Sequence, residues 1–169
     1  SPESLLSEDK SAAGSQRTVS LTFKQLGVWS SINLRGVDAS RTLAFPIRSD
    51  EVVIAARLRF AFDYSPALIP ELSHLRVLLN ERTVTLEALR KDKELGNARE
   101  VNLDPRLFKG LNYLRFNSIA HYTRQCEDPF HRFAGCAGTQ VKTAAHHVAF
   151  HAQVFRMRHT ARAADLPQH

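Results

Sequence analysis

The sequence predicts an all-β fold, a jelly roll or β-sandwich of mostly antiparallel strands. Short segments that alternate polar and apolar residues, rich in β-branched and aromatic side chains, recur along the chain. Turn-forming pairs separate them, and no helical period of the kind a βαβ unit needs lies between them.

Residues 1 to 17, rich in Ser, Ala, Glu and Lys, offer little to bury and read as a flexible lead-in. From Thr18 the texture changes: Thr18 to Phe23 alternates in the manner of a half-buried strand. Arg41 to Ile47 is a second short strand, and Pro46, which has no amide proton to donate, assigns it to a sheet edge or a strand end. The strongest strand runs from Val52 to Tyr64. There Leu58, Phe60 and Phe62 alternate with Arg57, Arg59 and Ala61, so one face is core and the other is wet.

Two prolines bracket Ser65 to Glu71 as a loop. Leu75 to Leu79 and Thr83 to Leu86 flank Asn80-Glu81-Arg82, a connection of hairpin length. Ala88 to Glu94 is charged enough for a helical turn, which Gly96-Asn97 stops. Alternation returns at Arg99 to Leu103, Asp104-Pro105 turns the chain, and Leu111 to Tyr122 is a long strand with Leu114 and Phe116 as core.

Residues 131 to 169 differ in kind. They hold six of the eight histidines and a single acid, and apart from a faint alternation in Val148 to Val154 they have no period of two. The domain is therefore drawn at 18 to 131, with 132 to 169 an atypical His-, Arg- and Ala-rich tail. Of the net charge of +6, the first 130 residues contribute +2 and the remainder +4, so the basicity belongs mostly to that tail. A nucleic-acid stripe would be denser, and Arg57, Arg59 and Arg115 stand among acids as parts of solvated sheet faces.

No stretch of about 18 apolar residues suits a membrane helix, and the start Ser-Pro-Glu-Ser has none of the features of a signal peptide. The chain reads as a soluble piece or a processed form. The nine-residue gap between Cys126 and Cys136 neither requires nor forbids a disulfide. His146, His147 and His151 lack a Cys or carboxylate at useful spacing, so an exposed basic tail is preferred to a metal site. Phosphate loops, nucleophile elbows and zinc-protease motifs are absent, and nothing fixes a pair of carboxylates, so no enzyme activity is expected.

A sugar-binding surface wants flat aromatic faces beside amide and guanidinium groups. Trp29, Tyr64 and Tyr113, with Asn33 and Arg35, are the available parts, and Tyr122 and Asn112 lie near them in sequence. Trp29, between Gly-Val and Ser-Ser, is the best surface candidate, whereas for Tyr64 and Tyr113 taken singly a half-buried sheet residue is the preferred reading.

Leu21 to Gly27, Leu34 to Asp38, Leu43 to Val53, Ser73 to Glu81, Leu111 to Tyr122 and Cys126 to Pro129 together resemble, in order, the cellulose synthase regulatory subunit family, the B subunit of the operon. The resemblance implies a periplasmic subunit, held at the inner membrane by parts absent from this chain. Such subunits are built from carbohydrate-binding-like jelly rolls alternating with flavodoxin-like domains, and this chain would be the first jelly roll. The implied partners are the cellulose synthase catalytic subunit and the emerging glucan, with no cofactor.

The family is named for binding cyclic di-GMP, which stands as a regulatory ligand of the complex, although its receptor domain is usually placed on the catalytic subunit. No Arg-rich cluster with a small-residue turn supports dinucleotide binding here. After His131 the text departs from the family, which is read as a frameshift or truncation. The last strands of the sandwich would then be missing or replaced and an edge left open.

Overall fold

The computed structural model describes residues 14–90, 95–122, 139–142 and 150–156. Two antiparallel sheets pack face to face. In the larger, of six strands, β1 (Ser15–Leu21), β10 (Phe150–Arg156), β4 (Glu51–Tyr64), β9 (Thr139–Lys142) and β2 (Ser31–Leu34) follow in order, and β7 (Asn97–Leu103) also pairs with β4. In the smaller, of four strands, the order is β3 (Asp38–Pro46), β8 (Leu111–Ile119), β5 (His74–Leu79) and β6 (Arg82–Ala88).

The alternation in the sequence explains the layers. Leu58, Phe60 and Phe62 of β4 are buried, as are Leu114 and Phe116 of β8, and the two rows meet between the sheets. Phe116 lies at the centre, with Phe23 at 5.7 Å and 84° and Phe60 at 5.6 Å and 71°, both in edge contact. Such pairs add about 0.5–1.5 kcal/mol to the burial of each ring. Polar contacts also join the sheets: Ser118 Oγ and Thr139 Oγ1 lie 3.0 Å apart in the interior, and Arg99 Nε donates to Glu87 Oε2 at 2.7 Å between β7 and β6.

The hairpin closes more tightly than expected. Asn80 and Glu81 alone form its turn, with φ of 50° and 68°, the backbone of a type I′ turn whose twist matches that of the strands. Pro46 ends β3, an edge strand, in keeping with its missing donor. β1 starts at Ser15, three residues before the change of texture and within the segment expected as a flexible lead-in.

β2 was not foreseen, and β9 and β10 come from the compositionally distinct tail, where the sandwich was expected to lose strands. β10 lies between β1 and β4, and β9 between β4 and β2. Ala152, Val154 and Val141 are fully buried, so this segment contributes to the core. The expected helical turn at Ala88 to Glu94 falls mainly on residues outside the described ones, as do Cys126, Cys136, His146 and His147.

Candidate functional site

Two solvent-facing regions carry the chemistry, and they lie on opposite sides of the sandwich. The first is built on the connection from β1 to β2. Thr22 and Gln25 lock the turn reciprocally: Thr22 N donates to Gln25 Oε1 at 2.8 Å, and Gln25 N donates to Thr22 Oγ1 at 3.2 Å. Phe23 and Val28 are buried beneath this loop, and Trp29 is pushed outward with 80% of its surface exposed. The Lys24 ammonium lies 5.1 Å from the indole centroid, over one face of the ring.

Immediately after Trp29, the burial of Ile32 and Leu34 turns Ser31 and Asn33 to the outside of β2. Gln140 of β9 ties them together, its Nε2 donating to Ser31 Oγ at 2.9 Å and to Asn33 Oδ1 at 3.0 Å. Trp29 and Asn33 thus lie four residues apart at one exposed corner, with the Asn33 amide held by Gln140. Arg35 follows in the exposed connection to β3.

The other two predicted residues do not join that corner. The Tyr64 ring is buried and stacks on Phe62 at 6.3 Å, while its hydroxyl donates to Arg90 O and accepts from Arg90 N at 2.7 Å. It presents no face to a sugar, because the inward, buried row of β4 continues to its last residue. Tyr122 is likewise buried, and burial pushes its hydroxyl pKa up. Tyr113 is 46% exposed, but it stands on β8 and faces out from the smaller sheet, across the molecule from Asn33.

Tyr113 defines the second region. Its backbone N donates to Asn80 Oδ1 and its carbonyl accepts from Asn80 N, both at 2.9 Å. Asn80 Nδ2 in turn donates to Leu107 O at 2.7 Å and to Asn112 Oδ1 at 2.9 Å. The fully buried Asn112 closes the network by accepting from Lys109 N at 2.7 Å and donating to Lys109 O at 2.8 Å. The backbone that carries the ring is therefore held on a stiff support.

Along the same face, register sets Thr42, Arg115 and Leu78 in one row and Ser40, Asn117, Arg76 and Leu86 in the next. Arg76, Asn117 and Gln140 escaped the sequence reading. Arg76 lies between two core residues of a predicted strand, so outward placement was legible; its neighbours across the sheet were not.

The acids do not resemble catalytic groups. The Arg59 hydrogen bond holds the Glu100 carboxyl below the usual range, and Arg106 does the same to Asp104, whereas a general acid needs a raised pKa. Glu51 is buried and gripped by Arg17 at 2.6 and 2.9 Å, a structural pair that ties β1 to β4 across β10. No group of three metal-ligating side chains occurs, and no helix is long and apolar enough to cross a membrane, among the described residues.

Residues 16–134 match the family described as "Cellulose synthase BcsB, first CBM domain". A "Cyclic di-GMP-binding protein" of Xanthomonas axonopodis pv. citri (strain 306) is 44% identical over 117 residues, 68% of this chain and 15% of that one. One of the same description from Pseudomonas fluorescens (strain SBW25) is 42% identical over 66% of this chain and 15% of that one. The chain thus spans about 15% of the length of these curated relatives. Among solved structures, a family 35 carbohydrate binding module from an environmental isolate aligns over 87% of this chain and 93% of that one, at 12% identity and a TM-score of 0.36.

Proposed function

The chain belongs to the family of the first CBM domain of cellulose synthase BcsB, and from that premise we propose that it is a non-catalytic, glucan-contacting module of a cellulose synthase regulatory subunit. In this reading it stands in the periplasm, attached to the inner membrane through other parts of the subunit, beside the catalytic subunit and the emerging chain. Its work is to support synthesis and guide the polymer. The corner of Trp29 and Asn33 makes the contact.

One observation carries the reading to a surface: the indole of Trp29 is 80% exposed on a loop whose other apolar residues are buried, as Phe23 and Val28 are, or half-buried against the core, as Leu26 is. An aromatic plane kept in water beside amides of fixed orientation is what a pyranose ring and its hydroxyls require. The Lys24 ammonium covers one face and leaves the other for the sugar.

Titration with soluble cello-oligosaccharides, followed through the fluorescence of the sole tryptophan and by calorimetry, tests the reading. Saturable binding that weakens about tenfold or more in Trp29→Ala is expected, the size of one lost stacking contact in a sugar site. A folded chain that ignores cello-oligosaccharides overturns it. A second reading, a cyclic di-GMP-binding activator of the synthase, draws its support from the name of the relatives. Saturation by the dinucleotide without any response to the sugar would establish that one instead.

A further inference from the structure

The outward face of the four-stranded sheet holds two arginines with too little acid for both. Arg76 of β5 lies opposite Asn117, and Arg115 of β8 lies opposite Leu78, so the two are diagonal neighbours about 7–8 Å apart along the sheet. Burial of Leu75 and Val77, and of Leu114 and Phe116, turns both guanidinium-bearing side chains outward. Arg115 Nη2 donates to Glu81 Oε2 at 2.9 Å, and that carboxylate is 74% exposed at the hairpin turn. Arg76 has no acid or other hydrogen-bond acceptor among the described residues. The Nε atoms of both arginines are shielded from solvent and unpaired.

Nearby acids do not remedy this. Asp38 Oδ1 accepts from Asn117 Nδ2 at 2.8 Å, and His74, one row beyond Arg76, adds a further basic group. Leu78, outward by register, is only 4% exposed yet stands outside the core cluster, so the face has a covered apolar floor. Two outward-facing arginines at diagonal positions, one of them without an acid among the described residues, and an exposed Tyr113 two residues from Arg115 make a face short of one component, an oxyanion that the outer guanidinium N–H groups would hold.

We propose that this face binds a saccharide bearing a carboxylate, with the acid group between Arg76 and Arg115 and its sugar ring against Tyr113. The saccharide half rests on the carbohydrate reading above. The carboxylate half rests on the arginine geometry alone, and the site is separate from the Trp29 corner.

Calorimetry on the whole chain at low and high salt decides it, with three probes: a neutral cello-oligosaccharide, the same oligosaccharide oxidised at C6 to carboxylates, and a short poly-glutamate peptide. The oxidised sugar is expected to bind about tenfold or more tightly than the neutral one, in a salt-sensitive way. Arg76→Gln and Arg115→Gln should each erase about tenfold of that preference, and Tyr113→Ala should weaken it, while Trp29→Ala leaves it alone. Equal affinity for the neutral and oxidised sugars, or indifference to Arg76→Gln with the fold intact by circular dichroism, overturns the proposal. Binding of poly-glutamate at least as tight as the sugar, unchanged in Tyr113→Ala, overturns the saccharide half and leaves an acidic peptide as the ligand. Failure of the neutral probe at the Trp29 corner alone would count against the proposed function and not against this site.

Discussion

The two outward faces of the sandwich are built from similar letters and end in different electrostatic states. On the larger sheet, Arg57 and Arg59 of β4 converge on Glu100 of β7, at 3.1 and 2.6 Å. On the smaller sheet, Arg115 shares the turn residue Glu81, and Arg76 faces Asn117 and Leu86 across its two neighbours. Among the described residues, the β4 arginines of the first face are paired with an acid, whereas Arg76 of the second has none. Cross-strand register makes the difference, since a single residue of slip would exchange every partner and every face.

The broadest way to erase the comparison is to remove what both faces rest on. Phe116→Ala empties the centre of the aromatic cluster and should cost about 3–5 kcal/mol in denaturant unfolding. Both binding regions should then fail together.

Asn112→Ala acts on one face only. It strips the Lys109 backbone and the Asn80 amide of their buried partner, and should cost about 1–3 kcal/mol by thermal unfolding. Loss of anion binding beside Tyr113 should accompany it, with the Trp29 corner unaffected. Equal damage at both regions would show that the faces are not independent.

Glu81→Gly sharpens the contrast. Glu81 holds φ at 68°, where a side chain is strained and glycine is at ease, so the variant should be more stable by up to about 1 kcal/mol. It also removes the only acid paired with Arg115 among the described residues, and affinity for an oxidised cello-oligosaccharide should rise several-fold.

The smallest change in stability is expected from Glu100→Gln. An exposed pair of this kind contributes little at neutral pH, so the unfolding midpoint there should barely move. Its signature lies in acid. The Arg59 hydrogen bond lowers the folded pKa of Glu100 below its ordinary 4.5, so its contribution is complete above that value and lost as the pH falls through the folded pKa. Below pH 4.5 the parent chain should therefore lose stability more steeply than the variant. If pairing is what silences the larger face, the same substitution should also give it a new affinity for carboxylates, measurable in the Arg76→Gln background.

Much of the sandwich was written locally. Leu58, Phe60 and Phe62 declare a strand with one wet face, and Asn80-Glu81-Arg82 declares a hairpin, because period and turn chemistry act within a few residues. β2, with four residues, and β9, with Thr-Gln-Val-Lys, are too short to show a period and exist through partners far away in sequence. Trp29 was legible as a surface residue because its neighbours are small and polar. Tyr64 was legible as a half-buried sheet residue but not as a fully buried one, since the alternation that places it inward says nothing about whether a strand's end is covered.

By itself, then, the sequence determined the class of fold, the course of the long strands, the inward rows of β4 and β8, and the family. Tertiary structure alone decided that Asn33 and Tyr113 face opposite sides, that Gln140 completes the corner of Asn33, and that Arg76 is left without an acid among the described residues. The physical reason is range: side-chain alternation and turn geometry are set by neighbours along the chain, whereas the partner of a charge is set by which strand lies beside it and in what register.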